Sequence, residues 1–179
     1  MNQNRDADNR SRNAADLYWL AFLLTGRRDI SIDIAADAAA SLDHANPFFE
    51  SWMKAWARRM VVAKALAKVR DELAASARRI QQARAQRPAA ISSDPRLGGD
   101  MSKARLEEAL LAIDIFPRAA VILSIFEGVR IADAVPLLDA GAALIKKAQA
   151  IGLRQFTTNL ATRRTGKATG FAPVLAPAH

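Results

Sequence analysis

Cysteine is absent from the 179-residue chain, which excludes disulfides and thiolate metal sites. His44 sits beside Asn46 and Pro47 in a loop-like stretch and His179 is terminal, with no second ligand at metal spacing for either, so no metal and no cofactor are expected. There is one Tyr and runs of β-branched residues are scarce, and no segment reads as a strand. The longest apolar runs, such as LYWLAFLL, fall far short of the roughly 20 residues needed to cross a bilayer, so no membrane insertion is expected. The polar start MNQNRDADNRSRN has no signal-peptide pattern, which points to a cytoplasmic protein. A Gly-rich phosphate loop and a triad signature are also missing. Asp29, Asp33 and Asp37 form a row of carboxylates, yet no His, Lys or nucleophilic Ser is paired with them at a motif spacing. The expectation is therefore no enzyme and no small-molecule substrate.

What is abundant is Ala, Leu, Arg and Lys, a composition that favours helix throughout. Lys plus Arg number 26 against 18 Asp plus Glu, a net charge of +8, and the sequence pI is about 10.6. That balance suits a polyanionic partner, either nucleic acid or an anionic membrane surface. The length fits one ordinary domain or two small ones.

Residues 1–13 are polar and read as a disordered N-terminus. From there Leu17, Leu20, Ala21 and Leu24 recur at helical spacing up to a stop at Gly26. A second amphipathic helix carries Ile30, Ile34, Ala38 and Leu42 on one stripe and Asp29, Asp33 and Asp37 on another. Asn46 and Pro47 open a third helix with no further Pro or Gly before Pro88, and a Pro suits its first turn. On that helix Trp52, Trp56, Met60, Ala63, Leu66 and Leu73 follow one apolar face. Lys54, Arg58, Lys64 and Lys68 fall within an arc of about 120° on the other side, at about 100° per residue. The spacing of Trp52 and Trp56 on the apolar stripe assigns them to the core rather than to base stacking.

The stretch QRPAAISSDPRLGGD reads as a flexible linker, 86–103, that divides the chain into helical domains at 14–85 and 104–164. The second domain holds four helical patterns, the second starting at Pro117 and stopping at Gly128, and a Pro- and Gly-containing tail follows at 165–179. The fold class is thus all-α, with two small helical domains, the second containing a helix-turn-helix. In FEGVRIADAVPLLDAGAALIKKA, Asp133 as N-cap makes Pro136 the third helical residue, where its missing N–H is no loss. Asp139 then enters the left-handed region at the turn and Gly141 caps the next helix. That helix begins with Ala142, Ala143 and Leu144, which make no bidentate bond to a base, while Lys146, Lys147 and Arg154 reach only phosphates.

Residues 17–163 resemble a bacterial RNA polymerase sigma factor of the small, two-domain extracytoplasmic-function type, as a divergent member. LYWLAFLLTGRRDISIDIAADAA is similar to the start of the family's region two, with the LTG turn at Leu24, Thr25 and Gly26. FFESWMKAWARRMVVAKAL resembles the helix that follows, matching at Phe49, Trp52, Ala57 and Arg58, and ALLAIDIFPRAAVILSIFEGVRIADAVPLLDAGAALIKKA follows region four through Glu127 and Gly128 to Ile145 and Lys146. The resemblance implies core RNA polymerase and promoter DNA as partners, with an anti-sigma protein as a further candidate. It places Asp33, Ile34 and Asp37 against the polymerase clamp and the third helix against the minus-ten element. The helix-turn-helix would lie at the minus-thirty-five element. The candidate DNA-binding cations are Lys54, Arg58, Arg59 and Lys64, with Arg130, Lys146, Lys147 and Arg154 in the second half. Ala36, Arg59, Lys64, Pro136 and Asp139 stand where the family has Gln, Asn, Asp, Glu and Gly. These departures favour phosphate attraction over base reading. Two functions follow as expectations: a sigma-like initiation protein, or a sigma-fold interaction protein that has lost sequence-specific promoter recognition.

Overall fold

Leu17, Leu20, Ala21 and Leu24 are all buried along α1 (Gln3–Thr25), as their spacing predicts. The helix stops at Gly26, which takes a φ of 71° and donates its N–H to Phe22 O at 2.7 Å, a left-handed helix end open to a residue without Cβ. Beneath this corner the buried hydroxyls of Thr25 and Ser31 lie 2.9 Å apart and satisfy one another. Helix α2 (Arg28–Ala40) then packs against α1 through Ile34, Ala35 and Ala38.

The computed structural model describes residues 3–42, 49–83 and 102–165. The expectations for His44, Asn46, Pro47, the linker stretch 86–101, the tail 166–179 and His179 lie outside the described residues. Residues 3–13, expected to be disordered, belong instead to α1. With no Pro or Gly among them, nothing interrupts a helix nucleated by the apolar stripe downstream.

The expected long third helix is two helices, α3 (Glu50–Lys68) and α4 (Arg70–Gln82), broken at Val69 with φ −115° and ψ 18°. Packing explains the break, because α3 lies on α1 and α2 whereas α4 lies on helices of the second half. Among these, α5 (Lys103–Leu111) starts at Ser102, whose hydroxyl accepts the Arg105 N–H at 3.3 Å, so Ser102 and Lys103 belong to the helix start and not to a linker. Helix α6 (Ile115–Val121) begins ahead of Pro117, with Asp114 as its N-cap, and Pro117 occupies the first turn. A π-helical turn over Ile122–Phe126 extends it, and Gly128 at φ 65° ends it.

Helix α7 (Ile131–Leu138) is capped by Arg130, not by Asp133, so Pro136 falls inside the helix rather than at its third residue. The Arg130–Asp133 ion pair, at 2.7 Å, holds Asp133 in the first turn and frees the chain to begin the helix earlier. Asp139 adopts the left-handed conformation expected of it, at φ 48° and ψ 47°. Gly141 O accepts the N–H groups of Leu144 and Ile145 at 3.0 and 3.1 Å, starting α8 (Ala142–Thr165).

Every regular element among the described residues is helical, and the fold is all-α. No described helix is long and apolar enough to cross a membrane. The halves do not stand apart as two domains. Helices α6 and α8 pack on α4, α5 and α6 on α1, and α7 on α3. One continuous apolar core runs from Leu24, Val61 and Leu73 to Phe116, Ile122 and Ile145. The physical reason is α4: its buried Leu73, Ser76 and Ile80 face the second half, where α6 and α8 cover them.

Candidate nucleic-acid interface

Helix α3 is oriented opposite to the expectation from its aromatic stripe. Ala57, Val61, Val62, Ala65 and Leu66 are buried, while Trp52 is 62% exposed and Trp56 40% exposed. Small side chains let α3 approach α1 and α2 closely, and the bulky indoles are left outside. At about 100° per residue, Trp52, Trp56 and Arg59 lie within about 60° of arc, and all three are exposed. Phe49, also exposed, stands just ahead of the helix. The result is an aromatic face with a guanidinium at its edge. The small-residue repeat Ala57, Val61, Ala65 was the sequence signal that could have found it.

Three cations of the basic arc, Lys54, Arg58 and Lys64, are half-buried and engaged within the protein, whereas Lys68 is exposed. The Lys64 ammonium donates to Asp37 Oδ2 at 2.9 Å, and Lys54 pairs with Glu50 at 2.7 Å. The Arg58 guanidinium forms a two-pronged pair with Glu127 at the end of the π turn, through Nε to Oε2 at 3.0 Å and through Nη2 to Oε1. That hydrogen bond raises the Arg58 pKa above its ordinary value, against the opposing effect of burial.

On α2, Asp33 is exposed and Asp37 is exposed but paired with Lys64. Ile34, expected to face polymerase, is 3% exposed and belongs to the core, because it shares the α2 stripe with Ala35 and Ala38. At the start of α8, Ala142 and Ala143 are exposed and Leu144 half-buried, so no side chain there carries a base-reading pair of donors or acceptors. Lys146 is exposed. Lys147 instead donates to Ile80 O at 3.0 Å, capping the end of α4. Arg130 holds Asp133, and Arg154 lies exposed further along α8.

A cluster that sequence reasoning missed joins α4 to the α5–α6 corner. Ser76, fully buried, donates its hydroxyl to Asp114 Oδ2 at 2.8 Å and accepts the Phe116 N–H at 3.2 Å. Arg79 donates to both Asp114 oxygens at 2.9 and 3.0 Å. Burial alone would raise the Asp114 carboxyl, but the hydrogen bonds from Arg79, Ser76 and the Ile115 N–H outweigh it and hold the group below its ordinary range. Arg118 is 7% exposed and donates to Leu111 O and Ile113 O at 3.2 Å each. Burial lowers its pKa, opposed by the charges of Asp114 and Glu72. These charges answer one another across the seam between the halves. Among the described residues no group of His, Asp and Glu is arranged to hold a metal.

The chain matches no family model, no curated protein and no solved structure.

Proposed function

We propose that this chain is a sigma-factor-like transcription initiation protein that binds core RNA polymerase through the acidic edge of α2 and promoter DNA through α3 and the α7–α8 pair. The observation that carries the reading is the exposed face of Trp52, Trp56 and Arg59 on a chain of net charge +8. Unpaired bases stack on such rings and phosphates are drawn to such a charge, irrespective of base identity. The free carboxylate of Asp33 on α2 and the helix pair joined at Asp139–Gly141 agree with the resemblance in register.

The test is co-purification of tagged protein with core RNA polymerase, comparing wild type with Asp33→Arg. Asp33 is chosen because Asp37 is occupied by Lys64. Retention of wild type and its loss in the variant is the expected result, and no retention of either protein removes the polymerase arm of the reading.

A second reading, a sigma-fold interaction protein without promoter recognition, is favoured by the start of α8. Ala142, Ala143 and Leu144 offer nothing to a base edge, and Lys147 is held by Ile80 O. Equal affinity for promoter and scrambled duplexes would favour this second reading over the first.

A further inference from the structure

Among the described residues no carboxylate is paired with the buried guanidinium of Arg118. Its Nη1 donates only to the backbone carbonyls of Leu111 and Ile113, and its Nε has no partner. Asp114 is taken up by Arg79 and Ser76, so that Asp114 and Glu72 act on Arg118 only through space. A buried charge kept without an ion-pair partner is costly. Arg118 lines a cavity of about 380 Å³ that opens to solvent between α4 and the α5–α6 corner. That volume falls within the range of small-molecule sites.

One wall of the cavity is a single face of α4, where Glu72, Ala75 and Arg79 stand at i, i+3 and i+7. The other wall is the corner from Ile113 to Ile115. Both walls are fixed in place: Ser76 and Arg79 tie α4 to Asp114, and the Trp19 indole N–H, donating to Glu107 at 3.2 Å, ties α5 to α1. A preformed cavity asks little ordering of a ligand. Arg79 gives both of its bonds to Asp114 through Nη2, which leaves its Nε and Nη1 as donors. With that pair cancelled, the cavity retains one cation, Arg118, and one carboxylate, the exposed Glu72.

From this balance we infer that the cavity is a binding site for a small zwitterion of the free α-amino acid class, its carboxylate on the Arg79 and Arg118 side and its ammonium on Glu72. A carboxylate matches the planar fork of a guanidinium, and the buried charge of Arg118 acts on it through surroundings of low dielectric. A phosphate dianion adds further negative charge beside Asp114 and Glu72, and a simple amine meets two guanidinium groups. Neither suits the cavity as well as a molecule bearing both signs. Ala75, Ile113 and Ile115 leave an apolar wall for an aliphatic side chain. A ligand held between α4 and the α5–α6 corner stabilises the fold by mass action. The site is separate from Trp52, Trp56 and Arg59 and does not depend on the nucleic-acid reading.

The experiment is thermal denaturation of the full chain with each common L-amino acid at about 5 mM, followed by calorimetric titration of those that raise the midpoint. An aliphatic amino acid is expected to bind with a Kd below about 1 mM. Its decarboxylated amine and its N-acetyl derivative should each bind at least about tenfold more weakly, since each lacks one charged partner. Glu72→Gln, which removes the acceptor for the ammonium, and Ala75→Leu, which fills the cavity, should each weaken binding by about tenfold or more. Asp71→Asn, at an exposed neighbouring position outside the cavity, should leave it unchanged.

The absence of any amino acid that binds overturns the inference. So does binding that survives both Glu72→Gln and Ala75→Leu, because the ligand then lies elsewhere. Inorganic phosphate binding as tightly as the amino acid overturns the zwitterion assignment. If Ala75→Leu loses its helical circular dichroism, Glu72→Lys, which sets a like charge against the ammonium from an exposed position, is judged by the same titration.

Discussion

A methyl group at position 152 would lie 2.7 Å from both Pro117 O and Val121 Cγ2, closer than real Cβ atoms approach either. Helices α6 and α8 cross at this glycine, and one of the obstructing atoms is backbone, which cannot rotate away. Gly152→Ala is therefore expected to destabilise the fold by about 1–3 kcal/mol, the usual cost of overpacking. An unchanged thermal midpoint would show that the helices separate freely. Trp52 and Trp56 call for the opposite outcome. Their replacement by Ala should leave stability within about 0.5 kcal/mol, as at other surface sites. It should weaken single-strand binding by about 1–3 kcal/mol for each base that loses its stacking partner. A large drop in the melting temperature would return both rings to the core. Four-residue spacing marks a face, but it does not say whether large or small side chains are the ones that dock. Here Ala57, Val61 and Ala65 allow the closer approach, and Arg58 and Lys64 flank them with partners of their own.

At the scale of the element, α7 is the helix least favoured by its own sequence. Pro136 sits inside it on an exposed position and removes the hydrogen bond to Ala132 O, so Pro136→Ala should stabilise the protein by roughly 1–3 kcal/mol. Denaturant titration will show this as a higher midpoint, and a lower one would mean that Pro136 makes packing contacts that Ala cannot replace. For α8 the phosphate role falls mainly to Lys146, since Lys147 has a carbonyl partner. Lys146→Ala is expected to weaken binding about equally on all duplex sequences and to reduce the salt slope by about 1. Loss of preference for one sequence with general affinity kept would contradict this. Helix starts and stops were largely legible where a single residue dictates them, as at Gly26, Asp139 and Gly141. They were not legible at Val69 or Arg130. No breaker residue marks the first, and at the second a nearby Asp133 offered a better-looking cap than the one used.

For the whole molecule the helical class follows from composition, whereas the docking of the halves does not. Ser76 and Asp114 are ordinary residues in the sequence and meet only when α4 turns at Val69 toward α6, while Glu127 joins the seam through Arg58 of α3. Their chemistry predicts a response to acid. The Asp114 carboxyl, beside Arg79 and within the field of Arg118 and Glu72, has a lowered pKa in the folded state. Its contribution is thus fully present above the unfolded value of about 3.9 and is lost as pH falls through the lowered folded value. Thermal midpoints measured across this acidic window should fall less steeply in Asp114→Asn than in wild type, and equal slopes would remove Asp114 from the account. Because Arg79 and Asp114 are partly exposed, added salt should shrink the difference.

Trp19 lies where α1 meets α5, its indole N–H on Glu107 and the Lys103 ammonium 5.1 Å from its ring centre. An indole so placed emits according to a local field that vanishes when α5 moves away. With Trp52 and Trp56 replaced by Phe, Trp19 becomes the sole intrinsic fluorophore of its kind in a chain of three tryptophans. The molecule thus carries its own optical gauge, readable without any attached dye.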